Sequence, residues 1–271
     1  MPQLIVQADD LAITHATTLG IVEGIVSGVV RATGIFTNRP DAAYAAQALS
    51  GLDGVDIGID LNFVTGSPLL PAGEVPGLVR PDGSFRSSHE IKATYPVARG
   101  EGVYLEFEVE PFDHDQTLAE ARAQVQRFLD LFGRPPAYVH HHALTSVVTD
   151  QVLHEIADEY GLLAMDDLIR FGRLPWVPNR WYTTPFGPAE QCGADPVTDF
   201  ADELSAIRDH EVSVLITHPG YVDAELLDIS SFNIIRARDL QLVTSPRLRT
   251  MLEQEGVELA SYTSAGIARG W

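Results

Sequence analysis

Short apolar blocks alternate along this chain with stretches of helical period. Gln3-Leu4-Ile5-Val6-Gln7 reads as a buried strand that ends at Ala8-Asp9-Asp10-Leu11. From Thr18 to Val30, Leu19, Val22, Ile25, Val26 and Val29 fall on one broad helical face. Ala32 to Thr37 predicts a second strand, Pro40 to Leu49 an Ala-rich helix, and Val55 to Leu61 a third strand. This β-α-β-α-β rhythm is that of a parallel sheet or barrel. Leu118, Ala121, Val125, Phe128, Leu129 and Phe132 then form one stripe of a helix over 116–132, closed by Gly133. A strand over 137–142, a helix over 149–160 and a short strand at 162–165 follow. Beyond them come a helix over 199–209, a strongly apolar strand over 212–216, helix over 236–252 with a restart at Pro246, and a last strand over 257–262.

Two stretches break the rhythm. Residues 65–100 are rich in Pro, Gly and Ser and show no helical period, so they read as a long excursion over the strand ends. Residues 171–196 are rich in Pro, Gly, Trp and Tyr and suit a pocket wall. No internal repeat interrupts the alternation. The expectation is one α/β domain over 1–271, a parallel (β/α) barrel that is irregular or lacks a strand.

Composition narrows the classes. The 271 residues are 45% hydrophobic, ample for one large core. No apolar run approaches membrane-spanning length. The N-terminus lacks the pattern of a secretory signal, so a cytoplasmic protein is expected. The single Cys192 excludes an internal disulfide framework. A formal net charge of −20 argues against nucleic acid or an anionic membrane as partner, and it suits a site that attracts cations. A small-molecule substrate remains, with room for a homodimer.

Polar groups recur at the ends of separate apolar strands: Asp9 and Asp10, then Asp60, then His140-His141-His142, then His218. Strand ends are where ligands bind in α/β proteins. Asp9 and Asp10 also suit the N-cap of a following helix. As neighbours at a strand end they point opposite ways, so they can hold different roles. Alternation likewise places His140 and His142 on one face and His141 on the other. Converging carboxylates and imidazoles are the usual seat of a divalent ion. A histidine such as His218 can exchange a proton near neutral pH. No nucleotide-binding glycine loop and no Gly-x-Ser-x-Gly elbow is present.

With these motifs in order, the chain resembles the YdjC-like (ChbG/HpnK) carbohydrate deacetylase family. The family's opening Asn-Ala-Asp-Asp is matched by Gln7-Ala8-Asp9-Asp10, and its Gly-x-His-Leu-Asn by Gly58-Ile59-Asp60-Leu61-Asn62. Thr65-Gly66-Ser67-Pro68, Gly133-Arg134-Pro135-Pro136 and His218-Pro219-Gly220-Tyr221 keep the family pattern, as does Ser231 to Leu240. The family's Asp-Ser-His is His140-His141-His142 here. The resemblance implies a deacetylase-type barrel and a hydrolase that removes acetyl from an N-acetylated sugar with a divalent metal. It implies Asp10, Asp60 and His142 as ligands, Asp9 as general base and His218 as general acid. His140 enters as an added ligand or proton shuttle. Asp60 in place of the family's His makes the site harder, favouring Mg or Mn without excluding Zn. Leu144 and Thr145 stand where histidines are usual in that segment.

Asn62, Trp181, Tyr182, Tyr221 and Arg236 are the expected substrate contacts. Trp176 and Phe186 join Trp181 and Tyr182 as candidates for an aromatic platform, with loop packing as the alternative. Two other functions fit the same residues. One is metal-dependent hydrolysis of a non-sugar amide, ester or imide, and the other is binding without catalysis.

Overall fold

The alternation inside each strand sorts the chain into two cores. On β1 (Gln3–Leu11), Leu4, Val6 and Ala8 face one core and Ile5 the other. The remaining strands are β2 (Ala32–Ile35), β3 (Asp56–Leu61), β4 (Val97–Glu101), β5 (Tyr104–Phe107), β6 (Tyr138–His141), β7 (Leu163–Ala164), β8 (Val212–Thr217) and β9 (Glu258–Leu259). Seven of them form one parallel sheet, in the order β7-β6-β3-β2-β1-β8 with β9 against the start of β1. Val177 and Pro175 bond Val214 at the outer side of β8, while the ladder on the other side ends at β7. The result is a parallel sheet curled into an incomplete (β/α) barrel. The computed structural model describes residues 1–183 and 186–271.

The helices are α1 (His15–Val26), α2 (Ala42–Ala48), α3 (Ser88–Thr94), α4 (His114–Phe132), α5 (Val147–Tyr160), α6 (Met165–Arg170), α7 (Pro188–Gly193), α8 (Pro196–Ala201), α9 (Leu204–Arg208), α10 (Ala224–Ile229), α11 (Ile234–Val243) and α12 (Pro246–Gln254). α4 follows the sequence pattern closely. Asp113 caps its N-terminus, Gly133 ends it at φ 64°, and Leu118, Ala121, Val125 and Phe128 are buried. The restart at Pro246 also holds, since α11 stops at Val243 and Ser245 caps α12. Among the described residues no helix is long and apolar enough to cross a membrane.

Three expectations change. α1 does not bury Leu19 and Val26, which are exposed; it buries Thr17, Thr18, Gly20, Ile21, Gly24 and Ile25. The reason is close backbone approach: a Cβ on Gly20 would lie 2.6 Å from Gly220 Cα. Second, the 65–100 excursion is not structureless. The Ser87–Glu90 capping box starts α3, and β4 pairs antiparallel with β5, whose first residues bond Thr145 beside the histidine run. Third, the 171–196 stretch contains α7, which packs on α11; positions 184 and 185 of that stretch lie outside the described residues.

The inner face of the sheet shapes the site. Ile5, Ala32, Tyr138, Val212, Val214, Ala260 and Tyr262 share the inner core. Small residues make room for large ones there: a Cβ on Gly58 would run into the Tyr138 ring, and one on Gly34 would overlap the Asp60 carboxylate. At the carboxyl ends of the strands this face turns polar. Gly58→Ala is therefore expected to lower the unfolding free energy by about 1–3 kcal/mol through overpacking. Gly73→Ala, with open space around it, should stay within about 0.5 kcal/mol of wild type. Urea unfolding midpoints of the two variants check this pair.

Candidate active site

Two buried clusters form where β1 ends, one on each side of its backbone. Asp9 continues the inner face. Its Oδ1 accepts from Gln7 Nε2 at 2.6 Å, and Gln7 in turn accepts from the Tyr262 hydroxyl. Asp9 Oδ2 lies 3.1 Å from His140 Nε2, one strand beyond Asp60, whose register partner on β6 is His140. Asp60 is 1% exposed; its Oδ2 accepts from the Asp10 backbone N–H at 3.0 Å, while Oδ1 has no partner. Asp9, Asp60 and His140 offer ligand atoms that all lie within 4.8 Å of one another. Behind His140, Asp166 Oδ1 sits 3.0 Å from Nδ1, and Tyr104 donates to that same oxygen.

Asp10 leaves the strand. Its φ is 68° and that of Ala12 is 74°, left-handed values that cost strain in residues other than glycine. The β1–β2 register shifts over the same residues. The turn sends the Asp10 carboxylate away from Asp9. Asp10 Oδ1 pairs with His142 Nδ1 at 2.9 Å, and Oδ2 pairs with Arg236 of α11, which is 2% exposed. His142 stands edge-on to Phe36, and its Nε2 lies 3.3 Å from the Thr65 hydroxyl. The second carboxylate therefore anchors a helix more than two hundred residues away.

His218 follows β8 and is held by its backbone, which donates to Asp239 Oδ2 at 2.8 Å. Asp239 also accepts from the Trp181 indole and the Tyr182 hydroxyl. The Tyr182 oxygen lies 3.3 Å from His218 Nδ1, and the imidazole packs on Phe232 at 4.8 Å between ring centres. Asp9, Asp10, His140, His142, His218 and Arg236 all line one cleft of about 1050 Å³. Trp176, Phe232, Leu227 and Ile229 give its mouth an apolar wall.

Burial and neighbouring charge separate the titrating groups. Burial raises the Asp10 carboxyl, but His142 and Arg236 outweigh it and hold Asp10 well below the usual carboxylate range. Burial, then the Asp9 charge, push Asp60 well above that range. Burial opposes a charged His140, yet Asp166 and Asp9 lift it well above the ordinary imidazole value. His218 moves the other way: burial lowers it, against the pull of Asp10 and Asp9. Burial also raises Asp239. The resting cleft thus holds a charged Asp10 beside a neutral His218.

The expected residues do not all meet in one place. Asp60 joins Asp9 and His140, whereas His142 joins Asp10. β6 ends at His141, so His140 and His142 diverge, and His141 turns outward to the Thr149 carbonyl of α5. Of the expected substrate contacts, Tyr182 and Arg236 line the cleft. Trp181 is buried behind it on Asp239, and Asn62 is spent on the Val64 and Thr65 backbone. Tyr221 is exposed and bonds Glu23 of α1. These three pack or brace the walls. Trp176 is half-exposed at the mouth, which suits the platform, while Phe186 stacks on Phe232.

Sequence reasoning missed Asp166, Asp239, Phe232, and the buried pair Glu120 and Gln124. Gln124 bonds both backbone groups of Asn62, and Glu120 accepts from Leu69 and Leu70, so α4 fixes the loop beside the cleft. Asp166 had a signal, since it follows a short apolar strand. Asp239 lies in the Ser231 to Leu240 segment without a role of its own, and Glu120 and Gln124 lie off the apolar stripe of their helix.

Comparison with known proteins gives a consistent set. A sequence model described as YdjC-like protein matches residues 3–254. A "carbohydrate deacetylase 2" of Listeria innocua is 27% identical over 264 residues, which cover 96% of this chain and 97% of the relative. A proposed cellobiose-phosphate cleavage protein of Enterococcus faecalis superposes with a TM-score of 0.75 at 22% identity, covering 97% and 98% of the two chains. A family 4 carbohydrate esterase from Streptomyces lividans, in complex with acetate, gives a TM-score of 0.51 at 11% identity, covering 95% and 91%. At these identities the two structures establish a shared incomplete barrel.

Removing Arg236 should expose how much the site leans on it. Arg236→Met leaves Asp10 buried without its guanidinium and is expected to cost about 3–5 kcal/mol of stability. Arg236→Lys should cost less. Equilibrium denaturation with urea reads both.

Proposed function

The chain belongs to the YdjC-like protein family, and from that premise we propose that it is a hydrolase removing the acetyl group of an N-acetylated sugar. The observation that carries this reading is the cleft itself. Two carboxylates of opposite orientation and a half-buried imidazole converge where an apolar wall can receive a sugar ring. The full-length match to a carbohydrate deacetylase supports a hydrolase acting on acetyl amide bonds.

A divalent ion fits the donor set. Asp60 Oδ1 is buried without a partner, and carboxylates and imidazoles surround it, as hard and borderline cations require. Asp60 would hold the ion with one carboxylate from β1 and one imidazole from the end of β6 or just beyond it, either Asp10 and His142 or Asp9 and His140. Mg, Mn and Zn all suit such donors. When bound, the ion would polarise the acetyl carbonyl and make the attacking water more acidic.

The chain's own residues handle the protons and the placement. One aspartate of the pair takes a proton as water adds to the carbonyl carbon. The C–N bond then breaks, acetate leaves, and the sugar nitrogen must gain a proton. His218 reaches the cleft opposite Asp10 and suits that donation. The proton it delivers is balanced by the one that the aspartate removes from the attacking water. Arg236 holds Asp10 in place and keeps Nη1 without a partner, a donor left for the substrate. Trp176 and Phe232 offer ring faces to the sugar. Among the described lining residues Arg236 is the sole Lys or Arg, and Asp10 occupies it, so an uncharged sugar suits the cleft best.

Acetate release from N-acetylglucosamine and its short oligomers, with divalent ion added after chelation, is the direct test. Activity is expected on the acetylated sugars and not on simple acetamides. Failure to release acetate from any acetylated sugar with Mg, Mn or Zn overturns the proposal. His218→Gln should lower kcat by about 10²–10⁴-fold with little change in KM. Trp176→Ala should mainly raise KM.

A further inference from the structure

The two clusters at the end of β1 are not equivalent as seats for a cation. Asp10 is already spent. Each of its oxygens has a partner, His142 Nδ1 on one side and Arg236 on the other, and both Asp10 and Arg236 are buried. A cation on Asp10 would sit beside a buried guanidinium, where poor screening makes like charges repel strongly. It would also take from Arg236 the counter-charge that permits its burial.

The inner cluster has the opposite character. Asp60 Oδ1 is buried, unpartnered and close to Asp9 Oδ2 and His140 Nε2. The surroundings orient all three donors. Gln7, itself held by Tyr262, fixes one oxygen of Asp9 and leaves the other toward His140. The Asp10 backbone fixes one oxygen of Asp60 and leaves the other free. Asp166 stands behind His140 Nδ1, so that Nε2 points at the two carboxylates. A carboxylate behind an imidazole is the usual support of a metal-bound histidine. Gly34 supplies the space, since any side chain there would displace the Asp60 carboxylate. Three protein donors with the cleft alongside leave room for a substrate atom, as catalytic sites require.

We infer that the divalent ion of this chain sits on Asp9, Asp60 and His140, inside the barrel, and that Asp10, held by Arg236 and His142, does not ligate it. The inference rests on the metal-dependent reading above. It moves ligation from Asp10, which the family resemblance implied, to Asp9, and it makes His140, not His142, the histidine ligand. Asp60 and His140 are register partners on neighbouring strands, so the carboxylate and imidazole donors enter from adjacent positions at one level of the barrel.

The test is ion binding by the full chain, measured apart from turnover. Chelator-treated wild type, Asp60→Asn, His140→Gln, His142→Gln and Asp166→Asn are titrated with Mn²⁺ by calorimetry. Pulsed electron paramagnetic resonance of the Mn²⁺ complexes reads the coordinated imidazole nitrogen. Circular dichroism confirms that each variant folds. Wild type is expected to bind one ion. Asp60→Asn and His140→Gln should bind about 100-fold more weakly or not at all, and Asp166→Asn about 10-fold more weakly. His142→Gln should keep both the ion and the nitrogen signal. If His140→Gln does not fold, the nitrogen signal of His142→Gln decides alone. Loss of the ion and its nitrogen signal in His142→Gln, with both kept in His140→Gln, overturns the inference and leaves the deacetylase reading standing. Wild type that binds no ion, yet releases acetate in the presence of chelator, overturns the metal-dependent reading and the inference together.

Discussion

The ion pair between Asp10 and Arg236 is the contact on which the site depends. It joins the end of the first strand to a helix near the end of the chain, and both partners are buried. Burying either charge alone would cost several kcal/mol, so the two must be placed together. The placement is made by a break in β1: the left-handed turn at Asp10 rotates its carboxylate out of the sheet and toward α11. That one turn separates two adjacent aspartates into different environments. One stays with the barrel interior, and the other becomes the outer wall of the cleft.

The barrel interior is organised by size as much as by polarity. Gly34 and Gly58 lie opposite the bulk of Asp60 and Tyr138. The strands bring Gln7, Asp9, Asp60 and His140 together above an apolar floor of Ile5, Val214 and Tyr262. An unpaired polar atom in such a place is costly, and the Tyr138 hydroxyl and one oxygen of Asp60 are left without a partner. The Asp60 oxygen that is not matched faces the other donors. It is the point where packing and chemistry meet, because the same small residues that let the sheet curl also let a carboxylate reach the interior.

A second layer supports the first. Asp239 collects donors from Trp181, Tyr182 and the His218 backbone, and so sets where the imidazole stands. Asp166 does similar work for His140 and His141. Glu120 and Gln124 do it for the loop after β3. Each of these groups is remote in sequence from what it holds. The excess of acid over base in the chain is thus not only surface charge, since many of its carboxylates are internal fittings.

Much of the fold was legible in the residues alone. Runs of apolar residues with period two, separated by stripes of period 3.6, mark a parallel α/β sheet because each element can bury its face in only one such way. The polar groups at the ends of those runs marked the site: Asp9, Asp10, Asp60, His140, His142 and His218 all lie at or beside it. Local pattern could not tell which side of the backbone each occupies. The turn at Asp10, the divergence of His140 and His142, and the withdrawal of Trp181 and Asn62 into supporting roles depend on contacts between residues far apart. So does the burial of α1 through its glycines and not through Leu19 and Val26, because the depth of a face is set by what packs against it. The sequence by itself determined which groups stand at the strand ends, since periodicity is a local property. Only the tertiary structure decided how they pair, since pairing is a matter of distance and burial.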